Sequence, residues 1–264
     1  MQQDRWHKGH QVLGALIDAL SWDEAVERIV AWGEERASRY VCFCNVHSVV
    51  TTMLDPEFQT VVNSADMAAP DGAPVAWALR RMGAEGQERI NGPDLMWRYL
   101  AMAEKLGQSV FFYGSTEETL AGLRANLNRR FPALKVAGMH SPHFCDSDPE
   151  QDEADIAMIN QSEANVAFIA LGCPKQEKWM GSHYGRVHAT MIGVGAAFDY
   201  HAGVLKRAPL WWQQNGLEWL YRVLMEPRRL FKRYLITNTL FLFGFARQLI
   251  VAKLSGKSRA CAKP

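Results

Sequence analysis

Val166-Ala167-Phe168-Ile169-Ala170-Leu171-Gly172 is an unbroken apolar run closed by a glycine, with Pro174 two residues on. The run is too short for a helix, and too continuous for a strand with one wet face, so it reads as a strand buried on both sides. The same form recurs along the chain: Tyr40-Val41-Cys42-Phe43-Cys44 stops at Asn45, Ser109 to Tyr113 stops at Gly114-Ser115, and Ala189 to Val194 stops at Gly195. Helical patterns lie between these runs. Ser21-Trp22-Asp23-Glu24 is a capping box ahead of Ala25, Ile29, Val30 and Trp32, Thr116 to Arg130 turns Leu120, Leu123 and Leu127 to one side, and a helix is expected from Pro174. Short apolar strands alternating with helices predict an α/β fold, a parallel sheet with helices on both faces. In such a sheet ligands bind outside the carboxyl ends of the strands, so Asn45, Gly114-Ser115, Gly172 and Gly195 are expected to face one crevice.

The chain has 264 residues, 48% apolar and 22% charged, the composition of a folded protein. Its net charge of +1 conceals an asymmetry: from Lys206 onward twelve Lys or Arg face two acids, Glu218 and Glu226, while the preceding part is acidic. A basic, Trp-rich tail on an acidic body points to an anionic partner, with phospholipid, nucleic acid and pyrophosphate all suitable. The division is expected near Gly203, giving a catalytic-type α/β domain over 1–203 and a helical appendage over 204–264. No export signal is visible in the first thirty residues. The longest apolar stretch, Leu235 to Ala246, is interrupted by Thr237, Asn238 and Thr239 and is shorter than the ~20 residues a spanning helix needs, so no membrane span is expected. Five cysteines without a Cys-x-x-Cys pair suit a reducing compartment, and Cys42 and Cys44 read as small buried hydrophobes.

Several motifs carry two readings. Gly193-Val194-Gly195 resembles part of a dinucleotide fingerprint, but Phe198 stands where the third glycine belongs, which weighs against an NAD-dependent oxidoreductase. Asp146-Ser147-Asp148 could hold a metal on a pyrophosphate, yet its flanking Pro149, Glu150 and Asp152 read as a solvated loop. His140, His143 and Cys145 lack a fourth ligand and have Pro142 among them, so no zinc site is expected. Asp71 follows the short apolar segment Met67 to Pro70; Asp-Gly is an ordinary turn pair, and a carboxylate at a strand end is also where a general base sits. Gly172-Cys173-Pro174-Lys175-Gln176-Glu177 opens a helix whose free N–H groups suit an anion such as a diphosphate. The tail, with Arg207, Arg222, Arg228, Arg229, Lys232 and Arg233 interleaved with Trp211, Trp212, Trp219 and Phe231, reads either as a lipid-interface surface or as a packed helix with a basic outer face.

Taken in order, Asn45, Pro70-Asp71-Gly72, Arg89-Ile90-Asn91-Gly92-Pro93-Asp94-Leu95, Gly114-Ser115, Gly172 to Glu177, Gly193 to Asp199, Arg207-Ala208-Pro209 and Gly216-Leu217-Glu218-Trp219 with Arg222, Glu226-Pro227 and Arg229 resemble the WecG/TagA/CpsF glycosyltransferases of bacterial surface polysaccharide synthesis. The resemblance implies a Rossmann-like, inverting transferase that needs no metal or other cofactor. It implies transfer from a UDP-sugar, with N-acetylmannosamine, its uronic acid or glucose as the sugar, to an undecaprenyl-diphosphate-linked acceptor. It further implies that Asp71 is the catalytic base, that Gln176 lies in the active site, and that Asn45, Asn91, Gly114, Ser115, Gly172, Pro174, Lys175, Glu177, Gly195, Asp199, Arg207, Arg222 and Arg229 contact substrate. The appendage is then expected to attach peripherally to the cytoplasmic face of the membrane and to lend arginines to the site, with no nucleic-acid partner; the oligomeric state stays open. One departure is Phe43, where many relatives carry threonine. The rival readings are a nucleotide-dependent oxidoreductase and a non-catalytic membrane-binding module.

Overall fold

The computed structural model describes residues 9–142 and 149–260, with side chains to Leu254. A hairpin of β1 (Gly9–Val12) and β2 (Ala15–Asp18) leads into α1 (Trp22–Glu34), β3 (Arg39–Cys44), α2 (Val46–Leu54), α3 (Pro56–Asn63), β4 (Met67–Pro70), α4 (Ala73–Arg81) and α5 (Gly92–Leu106). Then follow β5 (Ser109–Gly114), α6 (Glu117–Arg130), β6 (Lys135–His140), α7 (Pro149–Gln161), β7 (Val166–Ala170), α8 (Lys175–Ser182), β8 (Thr190–Gly193) and α9 (Ala197–Ala202). The tail holds α10 (Leu210–Gln214), α11 (Glu218–Met225) and α12 (Pro227–Ala260). Six strands form one parallel sheet in the order β4-β3-β8-β7-β5-β6.

Side chains alternate across this sheet, and both faces are apolar. Tyr40, Cys42 and Cys44 of β3 point into one core with α2, α3, α4, α7 and α8, whereas Val41 and Phe43 point into a second with α1, α5, α6 and α9. That double burial is why the strands read as continuous apolar runs. The capping box at Ser21 is formed, and Thr116 caps α6 with Leu120, Leu123 and Leu127 buried. Neither the hairpin nor β6 stands out in the sequence; β6 is a partly exposed edge strand, so its apolar signal is weak.

The C-terminal stretch departs from expectation. Thr237 and Thr239 do not interrupt the helix, because their hydroxyls donate back to the carbonyls of Arg233 (2.9 Å) and Leu235 (2.7 Å), one turn earlier. One helix therefore runs from Pro227 to Ala260, and its Pro227–Leu254 portion is long and apolar enough to cross a membrane by length and composition. One side of this helix belongs to the protein core. Phe241 and Phe245 are fully buried with α2, Trp77 meets Phe245 edge-on, and Gln248 accepts from Leu13 N (2.9 Å) and donates to Gln11 O (2.6 Å) of the hairpin. The opposite side exposes Phe231, Leu235, Leu242 and Phe243, the last at 75%. A left-handed Gly203 ends α9, and beyond it α12 packs on α2 and shares its core.

Candidate functional site

The four adjacent strands β4, β3, β8 and β7 all end at one cavity of about 380 Å³. At the end of β3, Asn45 caps α2 by accepting from Ser48 N at 3.1 Å, which commits its oxygen and leaves its amide nitrogen to donate to Asp71. Asp71 is held by its own backbone, its N–H reaching Cys44 O at 3.0 Å as β4 ends. The next strand-end contact, Ile90 N to Pro70 O at 2.9 Å, draws the Arg89–Asn91 segment alongside. Asn91 in turn caps α5 through Asp94 N at 2.9 Å.

The tail closes the open side. Gly216, with φ +70°, brings the turn after α10 against the start of α4, where a Cβ would stand 2.7 Å from that of Ala73. Glu218 of α11 accepts from Arg89 at 2.8 Å. Tyr200, Trp219, Arg222, Arg229, Arg233 and Tyr234 complete the wall. Arg222 lies over the Tyr200 ring at 5.7 Å, and Trp219 packs against Tyr234 at 5.8 Å.

Burial controls the electrostatics. Desolvation pushes the Asp71 carboxyl up to about 6, against the pull of the Arg89 charge; Glu218 adds to the rise, while Arg222 and the Asn45 amide oppose it. A carboxylate of this kind is ionised at neutral pH yet is a far better proton acceptor than an exposed aspartate. Burial also raises the Glu177 carboxyl, lowers His47, and pushes the Tyr200 hydroxyl up to about 12.

Of the residues expected to contact substrate, Asn45, Asp71, Asn91, Gly172, Gln176, Glu177, Gly195, Arg222 and Arg229 line this cavity. Others stand apart from it. Lys175 is exposed to solvent beside the N-cap Pro174 of α8. Gly114, whose added Cβ would meet Ala170 O at 2.5 Å, makes the close β5–β7 approach possible. Ser115 and Thr119 hydrogen-bond Asp199 in an adjoining cluster, where burial raises the Asp199 carboxyl, and the Arg222 and Arg229 charges oppose the rise. Arg207 is a clamp between tail and body: it holds both oxygens of Asp94 and reaches Glu218 at 3.5 Å. The start of α8 is also less open to an anion than its sequence suggests. Gln176 N donates to Gly172 O at 2.9 Å, and the Glu177 N–H faces its own carboxyl.

Arg89, Glu218, His47, Tyr200, Trp219, Arg233 and Tyr234 also line the cavity, beyond the residues expected there. Arg229 and Arg233 are four apart on α12 and share a face, a signal the sequence did contain. The others meet only through folding. Phe43, 6% exposed, packs on Gly92 and gives the cavity an apolar wall where a threonine would offer a hydroxyl. Among the described residues no group of three or more His, Cys, Asp or Glu is placed to hold a metal; His143, Cys145 and Asp146 to Asp148 lie outside them.

The arrangement offers a raised carboxylate on one side of a cavity and arginines on another, which suits displacement of an anionic leaving group by a hydroxyl. A family model described as "Glycosyl transferase WecG/TagA/CpsF family" matches residues 10–255.

Proposed function

This chain belongs to the glycosyl transferase WecG/TagA/CpsF family, acting in surface polysaccharide synthesis with a nucleotide-sugar donor and a lipid-linked acceptor, and we propose that the donor is a UDP-hexose and the acceptor an undecaprenyl-diphosphate-linked sugar. The observation that carries this reading is the Asp71 carboxyl, raised to about 6 at the floor of a cavity that Arg89, Arg222, Arg229 and Arg233 also line. Asp71 takes the proton from the acceptor hydroxyl as its oxygen attacks the anomeric carbon. The bond from that carbon to the diphosphate oxygen breaks on the opposite side, so the configuration inverts. Charge gathering on the departing UDP is met by Arg222, Arg229 and Arg233, which supply the stabilisation a divalent metal gives elsewhere.

Residues 1–203 serve as the catalytic domain and 204–264 as an appendage that both completes the cavity and attaches the protein to the inner face of the cytoplasmic membrane. Support for attachment along the surface rather than across it comes from α12, whose Phe241, Phe245 and Gln248 are committed to the protein while Phe231 and Leu235 are exposed close in sequence to the basic Arg228 and Lys232, and Leu242 and Phe243 are exposed further along.

The test is a transfer assay with a synthetic lipid-diphosphate-sugar against UDP-N-acetylmannosamine, its uronate and UDP-glucose. Release of UDP with an inverted glycosidic product is expected for one of them. Failure of every UDP-sugar, with turnover from another nucleotide sugar, refutes the donor assignment.

A further inference from the structure

Gln176 and Glu177 are adjacent in sequence and both almost completely buried, at 5% and 2% exposure, on a helix that begins at the cavity. The Gln176 amide nitrogen donates to Glu177 Oε1 at 2.9 Å and to the Gly193 carbonyl at 3.2 Å. Both of its N–H groups are thus spent. The Gly193 carbonyl accepts only, so turning the amide over would set oxygen against oxygen and leave two donors unmet. Gln176 Oε1, by contrast, has no partner among the described residues.

A neighbouring glycine explains how the amide fits. A Cβ on Gly193 would stand 3.1 Å from Gln176 Nε2 and 2.7 Å from Met180 Cε, and one on Gly195 would stand 3.5 Å from Gln176 Oε1. Gly193 therefore gives clearance to the Gln176 and Met180 side chains, while a Cβ on Gly195 would make only an ordinary contact with the amide oxygen. Glu177 is too deeply buried to meet bulk solvent, and burial favours its neutral form, whose Oε1 remains an acceptor.

We propose that Glu177 is a positioning residue that, together with the Gly193 carbonyl, locks the Gln176 amide with its oxygen as the free group, so that the sugar atom it meets in the cavity is a hydrogen-bond donor, a hydroxyl or an acetamido N–H. The inference rests on the glycosyl-transfer reading. An acceptor with no protein partner gains one when a sugar bearing that donor enters, and a sugar lacking the donor leaves it without one, which is a strong basis for discrimination.

Three variants test the lock: Glu177→Leu removes the acceptor that holds the amide, Glu177→Gln retains one, and Gly193→Ala pushes on the amide nitrogen from the strand side. For each, kcat and KM toward the UDP-sugar and the acceptor, affinity for UDP alone, and Tm are measured. Glu177→Leu is expected to lower kcat/KM by ~10-fold or more with UDP affinity unchanged, and Glu177→Gln to return it to within about threefold of wild type. A KM increase confined to the UDP-sugar places the donor group on the transferred sugar; one confined to the acceptor places it on the lipid-linked sugar. Folded Glu177→Leu with wild-type kcat/KM, or Glu177→Gln as impaired as Glu177→Leu, overturns the proposal. If Glu177→Leu does not fold, Gly193→Ala decides: impaired turnover at wild-type Tm supports the lock, and full turnover overturns it. Turnover by the wild-type protein judges the glycosyl-transfer reading separately from these ratios.

Discussion

Replacing Asp71 by asparagine should inactivate the protein and stabilise it at the same time. The ionised Asp71 side chain is disfavoured in the folded protein, because its carboxyl titrates at about 6 instead of the ordinary 3.8. A raised folded value means that stability falls as pH rises from the unfolded value through the folded one, and that the full cost is present above it. Each unit corresponds to ~1.4 kcal/mol, and water in the open cavity reduces the total, so Asp71→Asn should gain about 1–2 kcal/mol at pH 8. Asparagine keeps the shape and can still accept from Asn45. For a chain of this size the gain corresponds to a rise in Tm of roughly 2–6 °C. It should shrink as pH falls below 6 and vanish near 4. In the transfer assay the same variant should lose ~100-fold or more in kcat with UDP affinity nearly unchanged, while the wild-type kcat/KM climbs with a midpoint near 6. The measurements are thermal melts between pH 4 and 8 beside the pH–rate profile. A variant less stable than wild type at pH 8, or one active to within a few-fold, would refute the assignment of Asp71 as a desolvated base.

Transfer should proceed in EDTA, since arginines line the cavity where the diphosphate is proposed to lie; activity lost in EDTA and restored by Mg²⁺ or Mn²⁺ contradicts this. Arg207→Ala breaks the clamp to Asp94 and Glu218 and should cost about 1–2 kcal/mol, read as a Tm drop of a few degrees, with a smaller effect on UDP affinity than Arg222→Ala. Calorimetry showing the reverse order would return Arg207 to the diphosphate site. Serines at Phe231, Leu235 and Phe243, all on the exposed side of α12, should release the protein from anionic liposomes without slowing turnover of a soluble short-chain acceptor. Unchanged co-sedimentation would remove this face from membrane attachment. Truncating the tail is a poorer test, because Phe241 and Phe245 belong to the core.

The sheet was legible because its strands are buried on both faces and so carry unbroken apolar runs ending in turn residues. β6 was not, since partial exposure dilutes the same signal, and the hairpin strands are only four residues long, with the buried Asp18 closing the second. Among site residues, Asn45, Asp71 and Gln176 could be found because each stands at a strand end or in the first turn beyond it. The placement of Lys175 outside the cavity depends on the phase of α8, which the motif's order alone does not reveal.

The sequence by itself determined the alternation of strand and helix, the capping box at Ser21, and the concentration of basic charge in the tail, because these depend on neighbours a few residues apart. Only the tertiary structure decided that Arg89 meets Glu218, that Arg207 serves as a clamp, and that Gly193 makes room for Gln176. It also decided that Thr237 and Thr239 continue the helix. The acidity of Asp71 belongs with these. A carboxyl has no raised pKa until elements distant in the chain close over it and exclude water, and the charges that oppose or reinforce that rise come from residues 18 to 151 positions away.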